Sequence, residues 1–82
     1  MAPSRNQIYD KLRHLLAESL GGDEDEIDWD TNVYDDLNAD QLEFHDEVIP
    51  LIEETFGVAV DDEYVPDLTT VRELVEYVAE NT

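Results

Sequence analysis

Cysteine is absent from this 82-residue chain, which excludes disulfides, thiolate metal ligands and cysteine nucleophiles together. Positive charge is nearly absent as well. Four Lys and Arg stand against 23 Asp and Glu, for a formal net charge of −19. A surface of that sign is repelled by nucleic-acid phosphates and anionic lipid headgroups, and it attracts basic patches on other proteins. No apolar run is long enough to span a bilayer, and the short, charged N-terminus does not read as a secretion signal. A cytoplasmic protein that binds neither nucleic acid nor membrane is expected. The three glycines form no phosphate-binding loop. His14 and His45 are the two imidazoles and fall on different predicted helices, so no transition-metal site is expected.

Carboxylates are so abundant that their pairing carries little information. Asp28-Trp29-Asp30-Thr31-Asn32 places oxygen ligands at alternate positions, as a calcium loop does at its start. Val33 holds the place of the required glycine and Ala39 that of the twelfth-position Glu, so this is no EF-hand. Ser4 reads as a helix cap, and Ser19 has no evident base beside it. Nothing supports an enzyme. High charge also serves solubility or a salt-rich cytoplasm, and composition does not separate those roles from partner binding.

What is present is apolar residue at helical spacing, 41% of the chain, which argues against the disorder common in acidic sequences. The length fits one domain over residues 1–82, expected as a monomer. Ser4 and Gln7 fit a capping box ahead of Ile8, Leu12, Leu15, Leu16 and Leu20, and Gly21 closes that helix, predicting a helix over 5–19. Residues 21–39 lack helical period; Ile27, Trp29, Val33, Tyr34 and Leu37 should pin them as an ordered loop with one short turn. Asp40 caps a second helix carrying Phe44, Val48, Ile49, Leu51, Ile52 and Phe56 up to Gly57. Pro50 inside it removes a backbone donor and crowds the Asp46 carbonyl, predicting a kink near 46–50. A short third helix is expected at Asp61–Val65, cut off by Pro66. The last helix starts at Thr69 or Thr70, with Thr70 and Glu73 in capping-box spacing and Val71, Leu74, Val75 and Val78 as its stripe. The fold class is all-α.

The order of these elements resembles the acyl carrier protein family, a four-helix bundle with a long loop between helices 1 and 2 and a short third helix. Residues 33–43, Val-Tyr-Asp-Asp-Leu-Asn-Ala-Asp-Gln-Leu-Glu, are similar to the family's Asp-Leu-Gly-Ala-Asp-Ser-Leu-Asp signature. Residues 15–21, 53–58 and 68–71 and the pair Tyr77-Val78 resemble further family segments, so the likeness covers about residues 5–80.

The resemblance implies that position 41 corresponds to the serine that carries 4′-phosphopantetheine, and here it is Gln41. An amide cannot form that phosphodiester, so no cofactor is expected. The spacing from Gln41 to Phe56 is one residue longer than the family's, and Asn38 stands for a usual glycine. The resemblance further implies an acidic docking surface for basic patches of acyl-transferring, synthase or modifying enzymes, assigned to Asp35, Asp36, Asp40, Glu43, Asp46 and Glu47. It also suggests a cavity for an acyl chain lined by Ile8, Leu12, Phe44, Val48, Ile52, Leu68, Val71 and Leu74, which as an apolar stripe can equally pack on itself. The expected function is a non-enzymatic carrier-like protein of fatty-acid or polyketide-type metabolism that is not itself loaded. The alternatives are a working carrier with its serine substituted and, from another class, an acidic mimic of nucleic acid.

Overall fold

The computed structural model describes residues 3–82. Helix α1 spans Arg5–Leu20, with Ser4 at its N-cap in a complete capping box. Gln7 N–H donates to Ser4 Oγ at 3.2 Å, and Ser4 N–H donates to Gln7 Oε1 at 2.9 Å. Gly21 ends the helix in the left-handed conformation at φ 78°, where a side chain would be strained.

The second helical stretch is built from three parts. Residues Gln41–Glu43 form α2, Phe44–Val48 a π turn, and Ile49–Phe56 α3. The backbone stays right-handed helical through both junctions, so the chain does not break. The kink expected at 46–50 takes the form of this wider turn: Ile49 N–H reaches back to the Phe44 carbonyl, five residues away. A π turn absorbs one additional residue, which fits the one-residue excess between Gln41 and Phe56. Pro50 follows at once, in the first turn of α3, where its missing N–H costs least.

The short third element differs from expectation. Residues 62–64 form a turn, and a 3₁₀ turn occupies Val65–Asp67 in place of a helix over Asp61–Val65. Pro66 lies in the first turn of this element; its fixed φ starts a helical turn as readily as it stops one. The last helix, α4, spans Val71–Glu80 behind Thr70, with the Thr70–Glu73 capping box formed. Burial pushes the Glu73 carboxyl up, but hydrogen bonds from Thr69 and Thr70 outweigh it and hold the group below its ordinary value.

One core unites these parts. Ile8, Leu12 and Leu16 of α1, Phe44 and Val48 of the π turn, Ile52 of α3 and Val71, Leu74, Val75 and Val78 of α4 are fully buried, joined by Ile27 and Val33 of the loop. Loop 21–39 is ordered, with a 3₁₀ turn at Glu24–Glu26. It is tied to α4 by the helix's own free amides: Val71 N–H donates to Thr31 O at 3.1 Å and Arg72 N–H to Trp29 O at 2.8 Å. These are donors that a helix start leaves without intrahelical partners. Val33 N–H also donates to Thr69 O, beside an isolated bridge between Asn32 and Thr70.

Scarce cations complete the attachment. Arg13 of α1 donates from Nε to Ile27 O at 2.9 Å and from Nη2 to Glu24 O at 2.8 Å. Its guanidinium lies 5.1 Å from the Tyr9 ring centroid, and Tyr9 stacks flat on Trp29 at 4.2 Å. Arg72 sits 5.6 Å from the Trp29 centroid and pairs with Asp30.

Two outcomes follow from this geometry. Arg13→Gln should lower stability by about 2 kcal/mol, since a hydrogen bond from a charged donor is worth roughly 1.5–3 kcal/mol and the Gln amide can replace one of the two. Urea midpoints followed by Trp29 fluorescence and far-UV circular dichroism measure it, and Arg5→Gln, which removes only the exposed pair with Glu76, should move them far less. Asn38 has φ 57°; Asn38→Gly should therefore be near neutral, whereas Asn38→Val should cost about 1–2 kcal/mol in the same assay.

Candidate functional site

The loop delivers the chain to α2 through a run of local hydrogen bonds. Asn32 Oδ1 accepts from the N–H groups of Tyr34 and Asp35, and Asp36 Oδ2 accepts from Asn32 N–H at 2.8 Å. Ala39 N–H then donates to Val33 O. Asp40 follows as the N-cap, its Oδ1 accepting from Leu42 N–H at 2.8 Å. Gln41 is thus the first helical residue, presented to solvent at the positive end of the helix.

The six acidic residues singled out from sequence lie along this stretch, and all six are exposed. They are not equivalent. Asp36 and Asp40 hold backbone amides of the turn and the cap, while Asp46 Oδ1 lies 3.2 Å from His45 Nδ1. The carboxylates of Asp35, Glu43 and Glu47 make no hydrogen bond or ion pair among the described residues. Leu42 stands between Asp40 and Glu43 and is 74% exposed. A large apolar side chain is thus left exposed with acidic neighbours in the sequence, of which Glu43 is unpaired among the described residues.

A cleft of about 180 Å³ opens beside Gln41, lined by Tyr34, Gln41, His45, Asp62, Val65 and Pro66. Tyr34 packs edge-on against Phe44 at 5.6 Å, and burial pushes its phenol up, so it is a neutral wall. His45 bridges the cleft: Nε2 lies 2.9 Å from Asp62 Oδ1. Its pKa is raised from 6.5 by hydrogen bonding to Asp46 first and to Asp62 next.

The eight residues assigned to an acyl-chain lining are all buried, and all belong to the single core. The near-alternate oxygens at 28–32 serve the loop itself. Asp28 Oδ1 accepts from Asp30 N–H and from the Thr31 hydroxyl. Two features had escaped sequence reasoning. Leu42 lies in the cap segment before the apolar stripe and carries no role there, and the His45–Asp62 contact joins residues 17 apart in sequence, for which no periodicity speaks.

The arrangement can be set beside known proteins. A family model described as a phosphopantetheine attachment site matches residues 10–78. An acyl carrier protein of Rubrobacter xylanophilus is 39% identical over 77 residues, covering 94% of each chain. One of Thermotoga maritima is 37% identical over 75 residues, covering 92% of this chain and 91% of its own. Among solved structures, an acyl carrier protein from Enterococcus faecalis superposes with a TM-score of 0.81 at 26% identity, covering 98% of this chain and 100% of its own. With its helical order, its acidic second helix and these matches in agreement, the chain belongs to the acyl carrier protein family, whose members carry a phosphopantetheine attachment site.

Proposed function

We propose that this protein is a carrier-like, non-enzymatic, cytoplasmic monomer that docks through the start of α2 onto basic patches of enzymes of fatty-acid or polyketide-type acyl metabolism, without bearing the prosthetic arm at position 41. The observation that carries the docking half is exposed Leu42 flanked by Asp40 and Glu43, with Asp35, Asp46 and Glu47 close along the chain. Opposite charge accelerates encounter and fixes register, and a central apolar contact supplies the affinity.

The chemical half rests on Gln41. Phosphopantetheine is joined through a phosphodiester, which needs an alcohol oxygen from the protein. Gln41 offers a primary amide, so the group does not fit there and no loading step is assigned to this residue. The helix start around it is still suited to a phosphate, since dipole and free amides favour an anion. The protein therefore keeps the setting of a carrier and lacks the acceptor atom. Occupying a synthase or transferase surface, or regulating one, requires only the setting.

Intact mass spectrometry after incubation with coenzyme A and a broad-specificity phosphopantetheinyl transferase tests both halves. The unaltered protein should gain nothing, and Gln41→Ser should gain one arm. Gain on the unaltered protein overturns the assignment of Gln41; gain on neither overturns retention of the docking face. A companion titration concerns the core. Adding free octanoate should leave the methyl NMR signals of Ile8, Leu12, Ile52 and Leu74 unmoved, because these side chains are fully buried and close-packed interiors hold few voids.

A further inference from the structure

His45 sits where two separately built parts of the chain meet. It belongs to the π turn Phe44–Val48, and its ring reaches Asp62 in the segment 61–67. That segment is otherwise lightly tied. Its backbone hydrogen bonds are local, Tyr64 N–H to Asp61 O and Asp67 N–H to Tyr64 O, and Val65 is its one buried residue. On the α4 side it is held by Tyr77, whose hydroxyl accepts from Asp61 N–H at 3.3 Å and whose ring lies 5.9 Å from that of Tyr64. On the π-turn side, among the described residues, the polar tie is His45 to Asp62.

The two ring nitrogens face two carboxylates, Asp46 at 3.2 Å and Asp62 at 2.9 Å. A neutral imidazole has one N–H and one lone pair. In that form one of the two contacts sets a lone pair against a carboxylate oxygen, and the contact is repulsive. Only the doubly protonated ring donates to both. Both contacts are attractive together only for the imidazolium.

We propose that His45 is a proton-operated latch: as the imidazolium it fastens segment 61–67 to the π turn across the cleft beside Gln41, and on losing a proton it releases that segment.

Asp46 on its own element and Asp62 on the facing one are the charges in contact with the ring; Tyr34 lines the same cleft as a neutral phenol. Both carboxylates stabilise the charged ring, in keeping with its raised pKa. The folded value lies above the ordinary 6.5. The latch is thus fully engaged below that pH and is lost as pH rises through the folded midpoint. Both carboxylates are largely solvent-exposed and His45 is half-buried at the surface, so the effect is local opening of the cleft and leaves the core intact. The latch requires neither the prosthetic arm nor a particular residue at position 41, although Asp46 also belongs to the proposed docking face.

NMR on the intact protein tests it. The His45 ring proton should titrate with a midpoint above 6.5, and Asp62→Asn should lower that midpoint. Amide protection of Tyr64, Asp67 and Leu68, corrected for the intrinsic pH dependence of exchange, should fall about two- to fivefold across the same titration, as loss of one exposed ion pair implies. His45→Gln should abolish that step while leaving the protection of α1 and α4 unchanged. A step that persists in His45→Gln, or a His45 midpoint unmoved in Asp62→Asn, overturns the latch.

Discussion

Everything in this fold depends on how a 19-residue acidic loop is held against helices of the same sign. Carboxylates do little of it, since 23 of them stand against four Lys and Arg, and Asp30 with Arg72 is the exposed exception. The loop is held through its carbonyls instead. Thr31 and Trp29 carbonyls take the two amides that α4 leaves free at its start, and Glu24 and Ile27 carbonyls take the Arg13 guanidinium. Each bond satisfies a donor that otherwise lacks a partner, so helix start and loop complete each other. Between them Tyr9 and Trp29 stack, with Arg13 and Arg72 beside their faces. Of the four Lys and Arg, Arg13 is the one that donates to loop carbonyls, while Arg72 adds a pair with Asp30.

That division of labour makes the charged face available. Few loop carboxylates are spent in ion pairs, Asp30 with Arg72 and Glu24 with His14, so Asp35 reaches α2 with its charge uncommitted, and the cap set by Asp40 fixes where the helix begins. The apolar Leu42 is exposed at that start. In the proposed reading, the docking face is thus a by-product of how the loop is fastened, with core and surface specified by different residues.

Much of this was legible in the sequence where the signal is local. Both capping boxes, the closing residues Gly21 and Gly57 and the buried stripes follow from hydrogen-bonding and spacing rules that act within four residues. The short third helix over Asp61–Val65 was misplaced because Pro66 is compatible with both the end and the start of a turn, and only packing decides. The pairing of Arg13 with loop carbonyls and of His45 with Asp62 was not legible, since each joins residues 11 to 17 apart through side chains that carry no periodicity. The identity of the site came from its resemblance to a family; charge and spacing by themselves marked Asp35, Glu43 and Glu47 no more than any other exposed acid.

The π turn has one more consequence, best seen by treating the helix as a one-dimensional lattice. An additional residue in such a lattice is a dislocation, and in a uniform helix it could migrate, each hydrogen bond handing the surplus to the next. Here it is pinned. Pro50 has no N–H, so the ladder has a gap immediately beyond the defect whatever its pitch, and the wide turn has no donor through which to move forward. The surplus residue therefore has a fixed address, Phe44–Val48. The half of the helix that bears Gln41 and the half that bears Ile52 and Phe56 keep a constant angular phase, which a sliding defect would have blurred into an ensemble.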